Sequence, residues 1–472
     1  MSIPDTVLDA IKAAVGPAGW SDDPDILAPR LREERGLFVG ATPLLVRPAT
    51  TDEVAAVVRV CAEARVPIVP QSGNTGLVGG AVPDESGDQI LLALDRMNRV
   101  RALDRADHTM TVEAGCVLAD IHARAAEAGL MFPLRLASEG SCRIGGNIAS
   151  NAGGNAVLRY GTMRNLVLGI EAVLADGSMW NGLRALHKDN SGYDLKQLLI
   201  GSEGTLGIVT AAVLKLFPAP RNRQTAFVAL ADIEAAIALF VRARAASSDL
   251  VSAFELVPRI GIEFVTRHAA NARDPFKIAY DDYALIEFTA ARSDEGELRS
   301  AMERLLAEAL ADGSILDAVL AESDAQADAL WLLREELSPA QKREGACIKH
   351  DVSVPVSRIP EFIRAASDAV LAEMPDIRIL AFGHVGDGNV HFNLSQPVGA
   401  DSAAFLDQWA HFNRVVHDIA VAMDGSISAE HGIGRLKRDE LAHYRPAVEI
   451  DLMRAIKRAL DPDGILNPGK VI

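Results

Sequence analysis

The stretch FGHVGDGNVHFNL, residues 382–394, sets His384 and His391 on either side of Gly386-Asp387-Gly388-Asn389. Read as two strands joined by that four-residue turn, Val385 faces Val390 and His384 faces His391. Cross-strand partners carry Cβ atoms roughly 4.5–5.5 Å apart on one sheet face. The two imidazoles can therefore hydrogen-bond as an ordinary pair or converge on one divalent cation. Strand alternation puts Asn393 on the same face, beside His391. A cation needs at least one more ligand, and an anionic one suits it. In SISAEHGIG (426–434), Glu430 beside His431 is a candidate, although the small flanking residues also suit a plain solvated loop.

A second group could recognise charge. WLLREELSPAQ reads as helix up to Ser338, because Pro339 disfavours helix in the residue before it. Arg334 and Ser338 are then i,i+4 neighbours on one face. Lys349 opens the extended run KHDVSVPV. Taken singly, these are an arginine complementing a helix C-terminus and a solvated lysine.

Glycine marks a third kind of site. Gly73, Gly76, Gly79 and Gly80 follow the extended run VPIVP, where bare backbone N–H groups can form an anion-binding nest. The spacing is not G-x-G-x-x-G and no Walker lysine follows, which excludes nicotinamide and P-loop sites. EGSCRIGGNIASNAGGNAVLRYG (139–161) and LLIGSEGTLGIVT (198–210) repeat the pattern. Three such segments suit a long cofactor held mainly by backbone atoms.

Together PQSGNTGLVGG, GGNIASNAGG and KDNSGYDLKQLLIGSEGTLGIVT resemble the vanillyl-alcohol oxidase/p-cresol methylhydroxylase flavoproteins, and among them the D-2-hydroxyacid dehydrogenase branch. The resemblance runs from residue 38 to the C-terminus. It implies that Gly73, Asn74, Thr75 and Gly76 hold an FAD pyrophosphate. Gly140, Ser141, Gly145, Gly146, Asn147, Asn151 and Gly154 would line the middle of the cofactor. Glu203, Gly207 and Ile208 would follow it further, and Asn467 in ILNPGK would return to touch it. Loop 70–80 has neither His nor Cys, so FAD should bind non-covalently.

That branch pairs G-H-x-G-D-G-N-x-H with a later E-H dipeptide, which implies His384, His391 and Glu430 as metal ligands. Two imidazoles and one carboxylate with open positions suit Zn²⁺, although other divalent metals such as Fe(II) use the same set. His431 would be the general base, kept neutral by the neighbouring dication. Members acting on 2-hydroxyglutarate share the spacing of Arg334, Ser338 and Lys349, with Ser standing where Thr is expected. With Asn393, these imply a small anionic 2-hydroxyacid substrate, D-2-hydroxyglutarate or D-malate before D-lactate or glycolate. Readings from other classes are an FAD-dependent alkyl transferase and a flavin-binding protein without catalysis.

The elements that must position these groups imply an α+β fold. An N-terminal helical segment (1–37) precedes a two-subdomain PCMH-type FAD-binding domain (38–217). A substrate (cap) domain (218–420) follows, with an antiparallel sheet covered on one face by helices. A helical C-terminal segment (421–472) packs back on the FAD domain. Thr50 and Glu53 form a capping box for a helix over 52–65.

Of 472 residues, 49% are hydrophobic and 24% charged, the balance of a globular protein. A net charge of −17 argues against nucleic acid and against anionic membrane surfaces. It also requires that cations for an anionic substrate be gathered locally. Four scattered cysteines exclude a disulfide scaffold and fit a reducing compartment. Without a signal peptide pattern or a run of 18 apolar residues, the expected location is cytoplasmic, with no integral membrane segment. An electron-transfer flavoprotein or a quinone is the expected electron acceptor. The oligomeric state is open, a homodimer included.

Overall fold

The computed structural model describes residues 3–292 and 295–472. Positions 1–2 of the expected N-terminal segment and 293–294 of the expected substrate domain lie outside them. The chain divides into two compact units. One comprises Met1–Gly154, Tyr160–Ala219 and Glu430–Ile472, and the other Asn155–Arg159 and Pro220–Ala429.

The first unit holds two main sheets. In the smaller, strands Ile68–Gln71 and Leu45–Val46 flank Ile90–Ala93 in parallel, and Trp20–Ser21 closes the edge. Its strands are buried on both faces, with Val46, Ile68 and Leu92 on one side and Leu45, Val69 and Leu91 on the other. Helix Thr51–Ala64 lies on the first of these faces, and of the expected capping box only the Thr50 half forms, Glu53 reaching one residue further back. Thr50 Oγ1 accepts from Glu53 N at 3.1 Å, and Glu53 Oε2 accepts from Ala49 N at 2.7 Å. The second sheet is antiparallel, in the order Val100–Asp104, Thr109–Glu113, Ile208–Lys215, Val167–Val173, Met179–Gly182. The segment from Glu430 onward belongs to this unit, with Leu466 paired to Ile68.

The second unit is built on a seven-stranded antiparallel sheet. Its order is Ile315–Leu320, Asn222–Leu230, Asp282–Ala290, Val251–Pro258, Arg378–His384, Asn389–Ser395, Cys347–Ser353. Helices cover both faces, which corrects the expectation of one covered face. Ala226, Val228, Phe254 and Phe392 face helices Ile233–Ala246, Ile359–Glu373 and Trp409–Ala422. Phe227, Tyr283, Leu380 and Phe382 face helices Arg259–His268, Asp324–Glu335 and Leu337–Arg343. Neighbouring residues such as Phe227 and Val228 are both fully buried, so these strands read as continuous apolar runs, the mark of burial on two sides.

The second unit extends to Ala429, past the expected boundary at 420. Ser426 pairs with Ser353 and Ala429 N donates to Asp351 O, which ties this stretch to the edge strand.

Candidate active site

The histidine strands do not meet in the expected register. Strand Arg378–His384 pairs with Asn389–Ser395 so that Phe382, not His384, faces His391. A 3-10 turn, Val385–Asp387, and Gly388 at φ 90° connect the two strands. A Cβ at Gly388 would come within 2.4 Å of Val354 O, so glycine is required there for space as well as for its dihedral. Past Phe382 the strand leaves its hairpin partner, and His384 pairs instead with Glu255 on the other side. The shift is by two residues, an even number, so both imidazoles remain on one face. Their ring centroids are 5.7 Å apart at 77°.

Each imidazole is backed by a buried carboxylate. His384 Nδ1 lies 2.6 Å from Glu255 Oε1, and Glu255 Oε2 accepts from Arg334 Nε at 2.7 Å. Burial would push the Glu255 carboxyl up, but His384 and Arg334 outweigh it and hold the group down at about 2. An ionised carboxylate only accepts, so His384 Nδ1 is the donor in this contact. His391 Nδ1 lies 3.7 Å from Asp351 Oδ1, and that oxygen accepts from Asn389 Nδ2 at 3.0 Å. His384 and His391 belong to the second unit, and Glu430 opens the last segment of the first. By their chemistry, two imidazole nitrogens and one carboxylate oxygen suit a divalent transition metal such as zinc.

The charge-recognition residues divide. Helix Asp324–Glu335 ends before Glu336, and Leu337–Arg343 is a separate helix with Pro339 in its first turn, where a missing N–H is harmless. Arg334 and Ser338 are therefore on successive helices, not on one face of a single helix. Arg334 is 8% exposed, pairs with Glu255, and stacks its guanidinium 4.8 Å over Phe382. Ser338 Oγ accepts from Lys349 Nζ at 2.8 Å. Lys349 is the register partner of Asn393, as Asp351 is of His391, so all four share a sheet face. Asn393 Nδ2 donates to Gln341 Oε1 at 3.0 Å, and Gln341 Nε2 to Ser395 Oγ at 2.9 Å.

In the first unit the glycine segments come together. A Cβ at Gly73 would sit 2.8 Å from Cys142 Cα and 3.0 Å from Arg143 N, and one at Gly145 would sit 2.8 Å from Ala114 Cβ. By contrast, Gly76 and Gly140 face open space. Gly146 lies against Ser72, and Asn74 Nδ2 donates to Arg32 O at 3.0 Å with Thr75 beside it. Among the described residues, the buried oxygens Asn147 Oδ1, Gln71 Oε1 and Asn467 Oδ1 have no hydrogen-bond partner. Open space beside bare backbone, with buried acceptors awaiting donors, fits FAD, whose adenine, ribityl and isoalloxazine groups supply donors.

Other residues of the set are engaged within the protein. Ser141 Oγ donates to Ser138 O, and Asn151 Oδ1 accepts from Arg164 N at 3.0 Å. Gly154 N donates to Glu430 Oε1 at 2.8 Å. Gly207 abuts Leu199, and Ile208 packs in the core with Val54 and Ile68. Glu203 directs its carboxylate to Ile433 N at 2.7 Å and Gly434 N at 2.8 Å. Burial pushes its carboxyl up, against the pull of those N–H groups and of Lys437. Asn467 Nδ2 donates to Gly80 O at 2.9 Å and Glu203 O at 2.7 Å.

Glu255, Asp351 and Gln341 escaped the sequence reading. The signal for the two carboxylates was available: each is the lone acid of its strand, VSAFELVP and CIKHDVS, and both are buried.

Two family models match the chain: FAD linked oxidases, C-terminal domain, over residues 219–471, and FAD binding domain over residues 42–182. A D-2-hydroxyglutarate dehydrogenase of Xanthomonas citri pv. viticola is 40% identical over 424 residues, covering 90% of this chain and 88% of that protein. A mitochondrial D-2-hydroxyglutarate dehydrogenase of Bos taurus is 38% identical over 455 residues, covering 95% and 80%. Among solved structures, p-cresol methylhydroxylase with substrate bound superposes with a TM-score of 0.79 at 17% identity, over 99% of this chain and 96% of that one. A likeness at that identity speaks to the fold.

Proposed function

The chain belongs to the FAD-linked oxidases as an FAD-dependent dehydrogenase of D-2-hydroxyacids, and we propose that it oxidises D-2-hydroxyglutarate to 2-oxoglutarate with the help of a divalent metal. The observation that carries this reading is the 2.8 Å contact of Lys349 Nζ with Ser338 Oγ, on the sheet face that also bears Asn393 and His391. An ammonium placed there, in a chain of net charge −17, complements a second carboxylate. D-lactate carries a methyl group at that end and offers the ammonium no carboxylate. D-malate is the shorter dicarboxylate that the same lysine could accept.

When bound, FAD supplies the hydride acceptor, and a divalent cation on His384, His391 and Glu430 supplies Lewis acidity that lowers the pKa of the α-hydroxyl. The protein's own groups do the rest. His431, next to Glu430 in the chain, takes the hydroxyl proton. Lys349 and Ser338 pair with the distal carboxylate. Glu255 and Asp351 fix the tautomer and direction of the two imidazoles. FAD is held non-covalently, and the electrons pass on to an electron-transfer flavoprotein or a quinone. No helix among the described residues is long and apolar enough to cross a membrane.

Anaerobic mixing with a panel of D- and L-2-hydroxyacids, paired with metal quantification, tests the proposal. D-2-hydroxyglutarate should bleach the visible flavin band fastest, in protein carrying one equivalent of metal. Equal rates with D-lactate would reject the substrate, and full activity in metal-free protein would reject the metal.

A further inference from the structure

We infer that Glu203 is a positioning residue that fixes the Glu430–His431 dipeptide against the flavin-binding glycine segment. The inference rests on the reading of that dipeptide as metal ligand and general base. A sequence reading places Glu203 along the cofactor, but its side chain does something else. Its two carboxylate oxygens accept from two consecutive backbone donors, Ile433 N at 2.7 Å and Gly434 N at 2.8 Å. Successive N–H groups aimed at one anion form a nest, here filled by the protein's own carboxylate.

The geometry around this clamp is demanding. Glu203 holds φ at 52° and Asn467 at 43°, left-handed values that side chains other than glycine adopt at a cost. Asn467 Nδ2 grips Glu203 O at 2.7 Å, and Glu203 N donates to Ala149 O at 2.8 Å, at the end of helix Ile144–Ala149. That helix carries Gly145, Gly146 and Asn147. Gly432, at φ 79°, passes so close that a Cβ there would sit 2.7 Å from Glu203 Oε1. On the other side, Arg435 N and Leu436 N both donate to Val78 O, in the first glycine loop.

The short segment that bears the proposed base is thus pinned at both ends. Gly154 N holds Glu430 Oε1 at 2.8 Å before His431, and Glu203 holds residues 433 and 434 after it. His431 is carried on the span between the two pins. A base displaced by about 1 Å loses much of its advantage, so the clamp should act on the rate of chemistry and not on cofactor retention.

The test compares holoenzymes. Glu203→Gln keeps the size of the side chain but turns a donor toward one of the two N–H groups. It should lower kcat by about 10–100-fold. Flavin content should stay at one equivalent, and KM for D-2-hydroxyglutarate should stay within about threefold. The proposal also requires the loss to run through the dipeptide. In a His431→Gln background, Glu203→Gln should cost less than about threefold more. If Glu203→Gln does not fold, Gly432→Ala displaces the same carboxylate from the opposite side and should give the same split. An unchanged kcat, a loss of flavin that tracks the loss of activity, or fully additive losses in the double variant would each overturn the proposal. Metal-free wild-type enzyme that turns over normally would overturn the metal chemistry instead, and the cycle with His431 would still decide the role of Glu203.

Discussion

Glu255 Oε1 and His384 Nδ1, both buried, sit 2.6 Å apart on paired strands, and the other oxygen of the same carboxylate accepts from Arg334. One acid therefore serves a proposed metal ligand and the cation nearest to it. Glu255→Gln should lower metal affinity about 10–100-fold, because the imidazole loses the acceptor that sets its tautomer. It should also destabilise the protein by on the order of 3 kcal/mol, since Arg334 is left buried without its counter-charge. Chelator competition and thermal unfolding read the two effects. Wild-type values in both would dismiss the role given to Glu255.

Lys349→Ala removes a charge-assisted hydrogen bond worth about 1.5–3 kcal/mol. KM for D-2-hydroxyglutarate should rise at least about tenfold, and KM for D-lactate should change by less than about threefold. Steady-state kinetics on both substrates check this, and equal shifts would remove Lys349 from substrate recognition.

Removing the metal by chelation should abolish turnover while leaving the flavin bound, and Zn²⁺ should restore it. His391→Ala should resist that rescue, because its loss leaves two ligands where a catalytic site needs three. Activity and metal content measured on the same samples separate these outcomes. Rescue of the variant to wild-type activity would exclude His391 as a ligand.

Acid or heat precipitation should release all of the FAD into the supernatant, since loop 70–80 contains neither His nor Cys. Flavin that stays with the pellet would disprove a non-covalent attachment.

Glu344 predicts a pH effect remote from the site. Burial acts to raise its carboxyl, but His268, Arg378 and Arg267 prevail and hold it at about 2. A carboxyl lowered in the folded state contributes stability above its unfolded pKa of about 4.3, and that contribution fades as pH falls toward the folded value. Wild type should therefore lose about 2–3 kcal/mol between about pH 5 and pH 2 that Glu344→Gln, already weaker at neutral pH, does not lose. Denaturant melts across that range would show it. Parallel curves for the two proteins would rule it out.

Much of the fold could be read from pattern because local rules governed it. The cap at Thr50 starts its helix one residue from the expected place. What failed were inferences that needed partners distant in sequence. The hairpin register depended on Glu255, which draws His384 away from His391, and a turn-based rule has no access to a third strand. The helix break fell at Glu336 instead of Ser338 because proline is tolerated in a first turn. VSAFELVP was passed over as a strand since burial on both faces removes the alternation that reveals one, and Glu255 was lost with it. Glu203 was seen as a motif residue, but its target, the backbone of Ile433 and Gly434, leaves no trace in side-chain identity.

The edge strand Cys347–Ser353 turns Lys349 and Asp351 to one side and sends Ile348 and Val352 into the core on the other. In the proposed reading, neighbouring same-side positions carry separable duties: residue 349 meets the far end of the acid, and residue 351 steadies an imidazole. A lineage could then trade the lysine for an apolar side chain and accept a monocarboxylate without disturbing His384 and His391. Substrate preference in this scaffold can therefore drift faster than reaction type.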